Sequence, residues 1–393
     1  MEKSVHFDNT QIGFSHKSNG QLTKMKWLFT LLNYPWIVSI GSTLALWALK
    51  LRLPFFQDLV KHTMFEQFCG GVTLTECEPV IKNMAQHHTL TVLDYGAEGK
   101  DNEEDFQKAH QAFIQSLQFA NNQQNIPVIC IKLTSLFSFA ALQKVSEKKL
   151  LLTEELEAFE RGIERIRSIC QLAHDTNTAV FIDAEESWIQ PAIDDIADDM
   201  MKAFNTTQVV VYNTFQMYRH DRLAFLKSSQ LKATKNQYLF GAKIVRGAYM
   251  EKERLRAKQM GYPDPINPDK SATDRDFNLA LHFLVDSIQN TAFCNATHND
   301  ESTFLLTKLL IERQIPRDHP HVLFCQLYGM SDILTYNLAH EGFRSSKYMV
   351  YGPVKDVIPY LIRRAQENTS VSGDIGRELA NISKEISRRQ SAS

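Results

Sequence analysis

The chain predicts an α/β fold: a (β/α)8 barrel of the TIM type preceded by a helical amino-terminal segment. Three observations predict it. From about residue 90, short β-branched and apolar runs alternate with longer stretches of helical periodicity, the pattern of parallel strands joined by crossover helices. Eight such runs occur, the strand number of that barrel. Almost every run closes on a polar or ionisable residue, as expected where strand ends converge on one mouth.

Residues 1–89 read as helices that cover the barrel. Within them "WLFTLLNYPWIVSIGSTLALWAL", residues 27–49, carries no charge and is long enough to cross a bilayer, for which about 20 residues suffice. Asn33, Pro35, Ser39, Gly41, Ser42 and Thr43 interrupt it, so buried or interfacial helices are favoured over a span. Residues 90–368 form the barrel. Its strands are read in "LTVLDYGAEG", "PVICIKLTSL", "TAVFIDAEES", "QVVVYNTFQMY", "FGAKIVRGAY", "AFCNATHN", "HVLFCQLYGM" and "SKYMVYGPV". Between them, stretches such as "LTEELEAFERGIERIRSICQLAHDT" place charges on one helical face and Leu, Ile and Phe on the other. Residues 369–393 read as a polar tail.

Composition narrows the function. With 43 basic against 45 acidic residues the net charge is -2, which gives no footprint for nucleic acid. The six cysteines form no C-x-x-C pair and read as buried, reduced thiols. The chain has no H-E-x-x-H and no short-spaced ligand set, so no metal site is expected. The first 24 residues contain acids and lack an apolar core, unlike a secretory signal or an arginine-rich transit peptide. That favours a bacterial cytoplasmic location with peripheral inner-membrane association, while a mitochondrial one stays open.

The strand ends offer Asp94, Lys132, Asp183 with Glu185 and Glu186, Asn213, Arg246, Thr297 with His298 and Asn299, Gln326 and Tyr351. Each alone is an ordinary turn residue, and Lys132 could be an edge lysine keeping its head in water. Glu186 fits a helix start complementing the dipole better than catalysis. The last barrel helix, "YLIRRAQEN", brings Tyr360, Arg363, Arg364 and Glu367 onto neighbouring faces. An Arg-Arg pair is usually a solvated face, but here it follows the eighth strand, where this fold commonly binds anions. Two guanidiniums and Lys132 suit a small carboxylate held by bidentate hydrogen bonds.

These residues also carry a family likeness. "VRGAY" at 245–249, "ATHN" at 296–299, "QLYGM" at 326–330 and "YGPV" followed by "YLIRRAQEN" occur in this order along the barrel. In them the chain resembles proline dehydrogenase, a flavin-dependent enzyme with a distorted (β/α)8 barrel. The resemblance implies non-covalent FAD, oxidation of L-proline to 1-pyrroline-5-carboxylate as the first step of proline breakdown, and electron transfer to a membrane quinone. It further implies that Lys132, Arg363 and Arg364 hold the substrate carboxylate and that Tyr351 packs on the proline ring. Glu367 would orient Arg363, Asp183 would fix Lys132, and Asp94 and Tyr360 would line the pocket. Flavin contacts would come from Asn213, Lys243, the backbone at Gly247 and Ala248, Thr297, His298, Asn299 and Gln326. Asn213 and Lys243 depart from the glutamine and arginine of bacterial bifunctional members. The aldehyde dehydrogenase module of those members does not follow "SKEISRRQSAS", which suits a stand-alone enzyme.

Clamping the carboxylate fixes orientation, and nearby cations favour the neutral amine of the substrate. No general base is identified; Asp94 is the candidate to test. Two other readings stay open on the residues alone. One is a Schiff-base lyase using Lys132 as nucleophile, the other a membrane-tethered amino-acid-binding protein dominated by residues 27–60.

Overall fold

The computed structural model describes residues 7–50, 56–96, 101–370 and 374–392. The fold is a (β/α)8 barrel with a helical segment before it. In chain order the amino-terminal part holds helices α1 (Thr10–Gly13), α2 (Asn19–Leu32), α3 (Pro35–Lys50), α4 (Phe56–Val60) and α5 (Glu66–Phe68), strand β1 (Cys69–Gly71), helix α6 (Leu74–Gln86) and strand β2 (Leu90–Tyr95). Next come α7 (Glu103–Asn121), β3 (Val128–Ile131), α8 (Phe139–Ser146), α9 (Thr153–Asp175), β4 (Ala179–Ile182), α10 (Gln190–Phe204), β5 (Val211–Gln216), α11 (Arg222–Lys235), β6 (Phe240–Val245), α12 (Met250–Met260) and α13 (Lys270–Asp286). The chain continues through β7 (Thr291–Ala296), α14 (Asp300–Glu312), β8 (Val322–Leu327), α15 (Asp332–His340), β9 (Ser345–Tyr351), α16 (Val354–Ser370) and α17 (Asp374–Ser391).

The chain divides into two compact units. One comprises residues 97–325. Here β3 to β8 pair consecutively and in parallel, from Val128↔Ala179 to Ala296↔Cys325. Parallel strands are covered on both faces, which is why Val128–Ile131 is buried at every position. Helix starts follow local chemistry: Asn102, Asp269 and Asn299 each accept a backbone N–H of the first turn of α7, α13 and α14.

The other unit comprises residues 1–96 and 326–393. In it β9 pairs in parallel with β2, from Leu90↔Ser346 to Tyr95↔Tyr351, and with the short β1. Strand β1 lies inside the segment the sequence reads as purely helical: two glycines at its end let the backbone approach closely, and a Cβ on Gly70 would meet Met349 at 2.5 Å. The expected polar tail is also corrected. Residues 374–391 form α17, which buries Ile375, Ile382 and Glu385. Glu385 pairs with Arg388 and Arg389, and Arg389 donates to the carbonyls of Phe14 and Lys17. The uncharged stretch 27–49 is broken into α2 and α3 at Asn33–Tyr34, and among the described residues no helix is long and apolar enough to cross a membrane. All six cysteines are buried and free, as expected.

Candidate active site

In the unit formed by residues 97–325, the ends of β3, β4 and β6 supply a buried charge cluster. Asp183, one residue past β4, accepts from Lys243 Nζ at 2.6 Å and from Lys132 Nζ at 3.4 Å. Lys243 is buried on β6, and Lys132 follows β3 directly. Burial alone would lower the Lys243 ammonium, but the Asp183 carboxylate outweighs it and holds the amine well above its ordinary range. One carboxylate thus pairs with two lysines and keeps the Lys243 amine charged.

A second carboxyl lies two residues on. Glu185 accepts from the backbone N–H of Thr134 at 3.1 Å and from its hydroxyl at 2.6 Å. Burial pushes its carboxyl up to about 7, against the lowering effect of those hydrogen bonds. Gln216, the last residue of β5, joins neighbouring strand ends: its amide donates to Glu185 O at 2.8 Å, and its Oε1 accepts from Ala248 N at 3.2 Å. Gly247 precedes that amide at φ +140, and a Cβ there would meet the Tyr218 ring at 2.5 Å, so only glycine suits the turn. Arg246 pins the ends of β6 and β7, donating to Asp274 at 2.8 Å, Thr297 at 2.6 Å and Ser302 at 3.0 Å. Glu186 pairs with Lys252 of α12 and lies ahead of α10, whose first turn holds no acid, so it is not the helix-start acid expected from the sequence.

Two residues expected to contact flavin have hydrogen-bond partners on helices. Asn213 donates to Asp194 of α10 at 2.9 Å, beside Arg222, which donates to the same carboxylate at 2.7 Å. Gln326 Oε1 accepts from the Thr335 hydroxyl of α15 at 2.9 Å. Strand side chains alternate between faces, so each of these positions points away from the side its neighbours serve. Asn299 caps α14 through Ser302 N at 2.8 Å, while Thr297 takes the Asn299 N–H at 3.1 Å. His298 is half-buried beside them. The sequence reading missed Gln216 and Thr134, and it placed Glu185 and Arg246 at strand ends without giving either a partner; the closing polar residue of "VYNTFQ" was the available signal for Gln216.

In the other unit, Asp94 is buried on β2 in register with Val350, and the Tyr351 ring lies 5.4 Å from that of Tyr95. On α16, Arg364 is buried with its guanidinium 5.3 Å from the Tyr360 ring, and Arg363 is half-buried. The side chain of Glu367 lies outside the described residues. A further charge network escaped the sequence reading. Lys347, fully buried, donates to Asp332 at 2.8 Å, and His16 Nε2 lies 3.2 Å from the other oxygen of that carboxylate. His16 stacks on Tyr336 at 3.9 Å. Burial lowers the His16 imidazole to about 4 despite Asp332, so it is neutral at physiological pH.

A flavin needs hydrogen-bond donors along its ring edge and cations near its phosphates, and the strand-end groups of residues 97–325 include both kinds. Thr214, paired in register with Lys243, also has a buried hydroxyl without a partner among the described residues. Among the described residues no cluster suits a metal ion.

Fold and strand-end groups together define a (β/α)8-barrel protein with two lysines held at strand ends by one shared carboxylate. The chain belongs to the proline dehydrogenase family, whose sequence profile matches residues 77–377. It is 33% identical over 346 residues to the carbapenem antibiotics biosynthesis protein CarD of Pectobacterium carotovorum, covering 88% of this chain and 90% of that protein. It is 30% identical over 385 residues to mitochondrial proline dehydrogenase 1 of Dictyostelium discoideum, covering 87% and 67%. Among solved structures, proline utilization A of Bdellovibrio bacteriovorus, inactivated by N-propargylglycine, superposes with a TM-score of 0.72 at 20% identity. That match takes in 95% of this chain and 40% of the other.

Proposed function

We propose that the protein oxidises L-proline to 1-pyrroline-5-carboxylate with FAD and passes the electrons to a membrane quinone, as the first step of proline breakdown. The observation that carries the reading is the Asp183 carboxylate between Lys132 and Lys243. An ammonium fixed by a carboxylate is a charge to be presented, and Lys132 so held suits the substrate carboxylate. A Schiff-base nucleophile would instead need a neutral amine, which a carboxylate partner opposes.

FAD, when bound, accepts a hydride from the substrate ring. Lys243, Gln216, the Gly247–Ala248 backbone, Thr297 and His298 are assigned to hold it. Lys132, Arg363 and Arg364 are assigned to the substrate carboxylate by the family pattern, with Tyr351 and Tyr360 against the ring, Glu367 orienting Arg363, and Asp94 as the candidate base. Cations around a substrate ammonium favour its loss of a proton, which leaves the nitrogen lone pair to drive hydride departure. Peripheral attachment to a membrane gives access to a lipid-soluble acceptor.

The test is an absorption spectrum of the purified protein before and after anaerobic addition of L-proline. A flavin band that bleaches supports the reading; a colourless protein that stays colourless after incubation with FAD overturns it.

A further inference from the structure

One face of α3 is apolar and uncovered. Trp36 (64% exposed), Ile40 (53%), Leu44 (61%) and Trp47 (59%) follow one another at steps of four, four and three residues, a single helical stripe. Val38 and Ser42, on the opposite side, are buried. Trp27 of α2 is 55% exposed, so three of the chain's four tryptophans stand in this region. Beside the stripe runs an apolar groove of about 300 Å³, lined by α2, α3, α4 and by Ile358, Leu361 and Ile362 of α16. Soluble monomers rarely expose so continuous an apolar surface without a partner.

Charge selects the occupant. From residue 19 to 66 the sequence carries Lys24, Lys26, Lys50, Arg52 and Lys61 against Asp58 and Glu66, the latter paired with Lys24 at 2.6 Å, which leaves a local charge of +3 in a chain whose net charge is -2. A second copy on the same face would set like charges opposite one another; an anionic surface is attracted. Tryptophans flanked by basic residues are also the composition of the lipid headgroup level. At 16 residues α3 reaches only about 24 Å, less than a bilayer core, so it can lie on a membrane but not cross it.

We propose that the α2–α3–α4 face docks on an anionic phospholipid bilayer. Trp36, Ile40, Leu44 and Trp47 enter the boundary between headgroups and acyl chains, and the groove opens onto those chains. This deepens the proposed function by naming the surface at which a membrane-borne acceptor is met; it rests on that function for its purpose only. Since Leu361 and Ile362 line the groove and Arg363 and Arg364 follow them, one helix carries both the lipid contact and residues assigned to substrate.

The full chain is mixed with vesicles of phosphatidylcholine alone or with about one third phosphatidylglycerol. The wild type is expected to co-sediment with the anionic vesicles, and lipids brominated in their acyl chains to quench its tryptophan emission. The triple variant Trp36→Gln, Leu44→Gln, Trp47→Gln should bind at least tenfold more weakly while proline still bleaches its flavin. Undiminished binding by that variant, unquenched wild-type emission, equal binding to neutral vesicles, or a wild-type dimer that the variant dissolves would each overturn the proposal. Loss of the functional reading appears separately, as a flavin that proline does not bleach in the wild type.

Discussion

Replacing Asp183 by asparagine removes the carboxylate that Lys132 and Lys243 share and keeps the side-chain shape. At an effective dielectric near 20, the gross attraction of Asp183 to Lys243 at 2.6 Å is about 6 kcal/mol, and to Lys132 at 3.4 Å about 5 kcal/mol. Desolvation cancels part of this, since Lys243 is almost wholly buried. The measurable cost is that of a buried charge left unpaired, about 3–5 kcal/mol. Urea unfolding of Asp183→Asn, of Lys243→Met and of the double variant closes a mutant cycle. Each single change is expected to cost about 3–5 kcal/mol, and the double change at least about 2 kcal/mol less than their sum, because it removes the orphaned charge. A coupling below about 0.5 kcal/mol would show that the two side chains do not share a charge in the folded protein, and the account of the site would fall with it.

Three further outcomes are expected. Arg363→Ala and Arg364→Ala should each lower kcat/KM for proline by about two orders of magnitude, the cost of truncating one partner of a buried charge pair, while the flavin spectrum persists; normal turnover would remove both from the clamp. Glu185 holds its proton more tightly folded, with its carboxyl raised to about 7, than unfolded near 4.5. Its stabilising contribution is therefore complete below about pH 4.5 and is lost as pH rises through 7, roughly 3 kcal/mol in all. Unfolding midpoints from pH 4.5 to 8 should fall less steeply in Glu185→Gln, and an unchanged slope would contradict the burial assigned to that carboxyl. Gly329 has φ +82, and a Cβ there would lie 2.0 Å from the Gln67 carbonyl oxygen. Gly329→Ala should cost about 2–4 kcal/mol in chemical unfolding, and a neutral result would mean that this turn is free to move.

Much of this molecule can be read along the chain. Eight apolar runs alternating with amphipathic stretches give the barrel, because hydrophobic periodicity is a local property of sequence. Lys132 and Asp183 were legible as polar residues closing apolar strands. The buried triad His16, Asp332 and Lys347 was not, since its members are up to 331 residues apart (347 − 16) and nothing local marks them as partners. Helix α17 was hidden for a related reason: its surface is polar enough to pass for a tail until Glu385, with Arg388 and Arg389, is seen tying it to residues near the amino terminus.

Sequence alone determined that Asn213 and Gln216 lie on opposite faces of one strand, since side chains alternate with period two. Which face looks toward the strand-end cluster and which toward a helix was decided only by tertiary structure. In an antiparallel sheet with one wet face, hydrophobicity would have given the answer. Parallel barrel strands are covered on both faces, and Asn213 and Gln216 are equally buried, so only their partners, Asp194 for one and Glu185 with Ala248 for the other, tell the two sides apart.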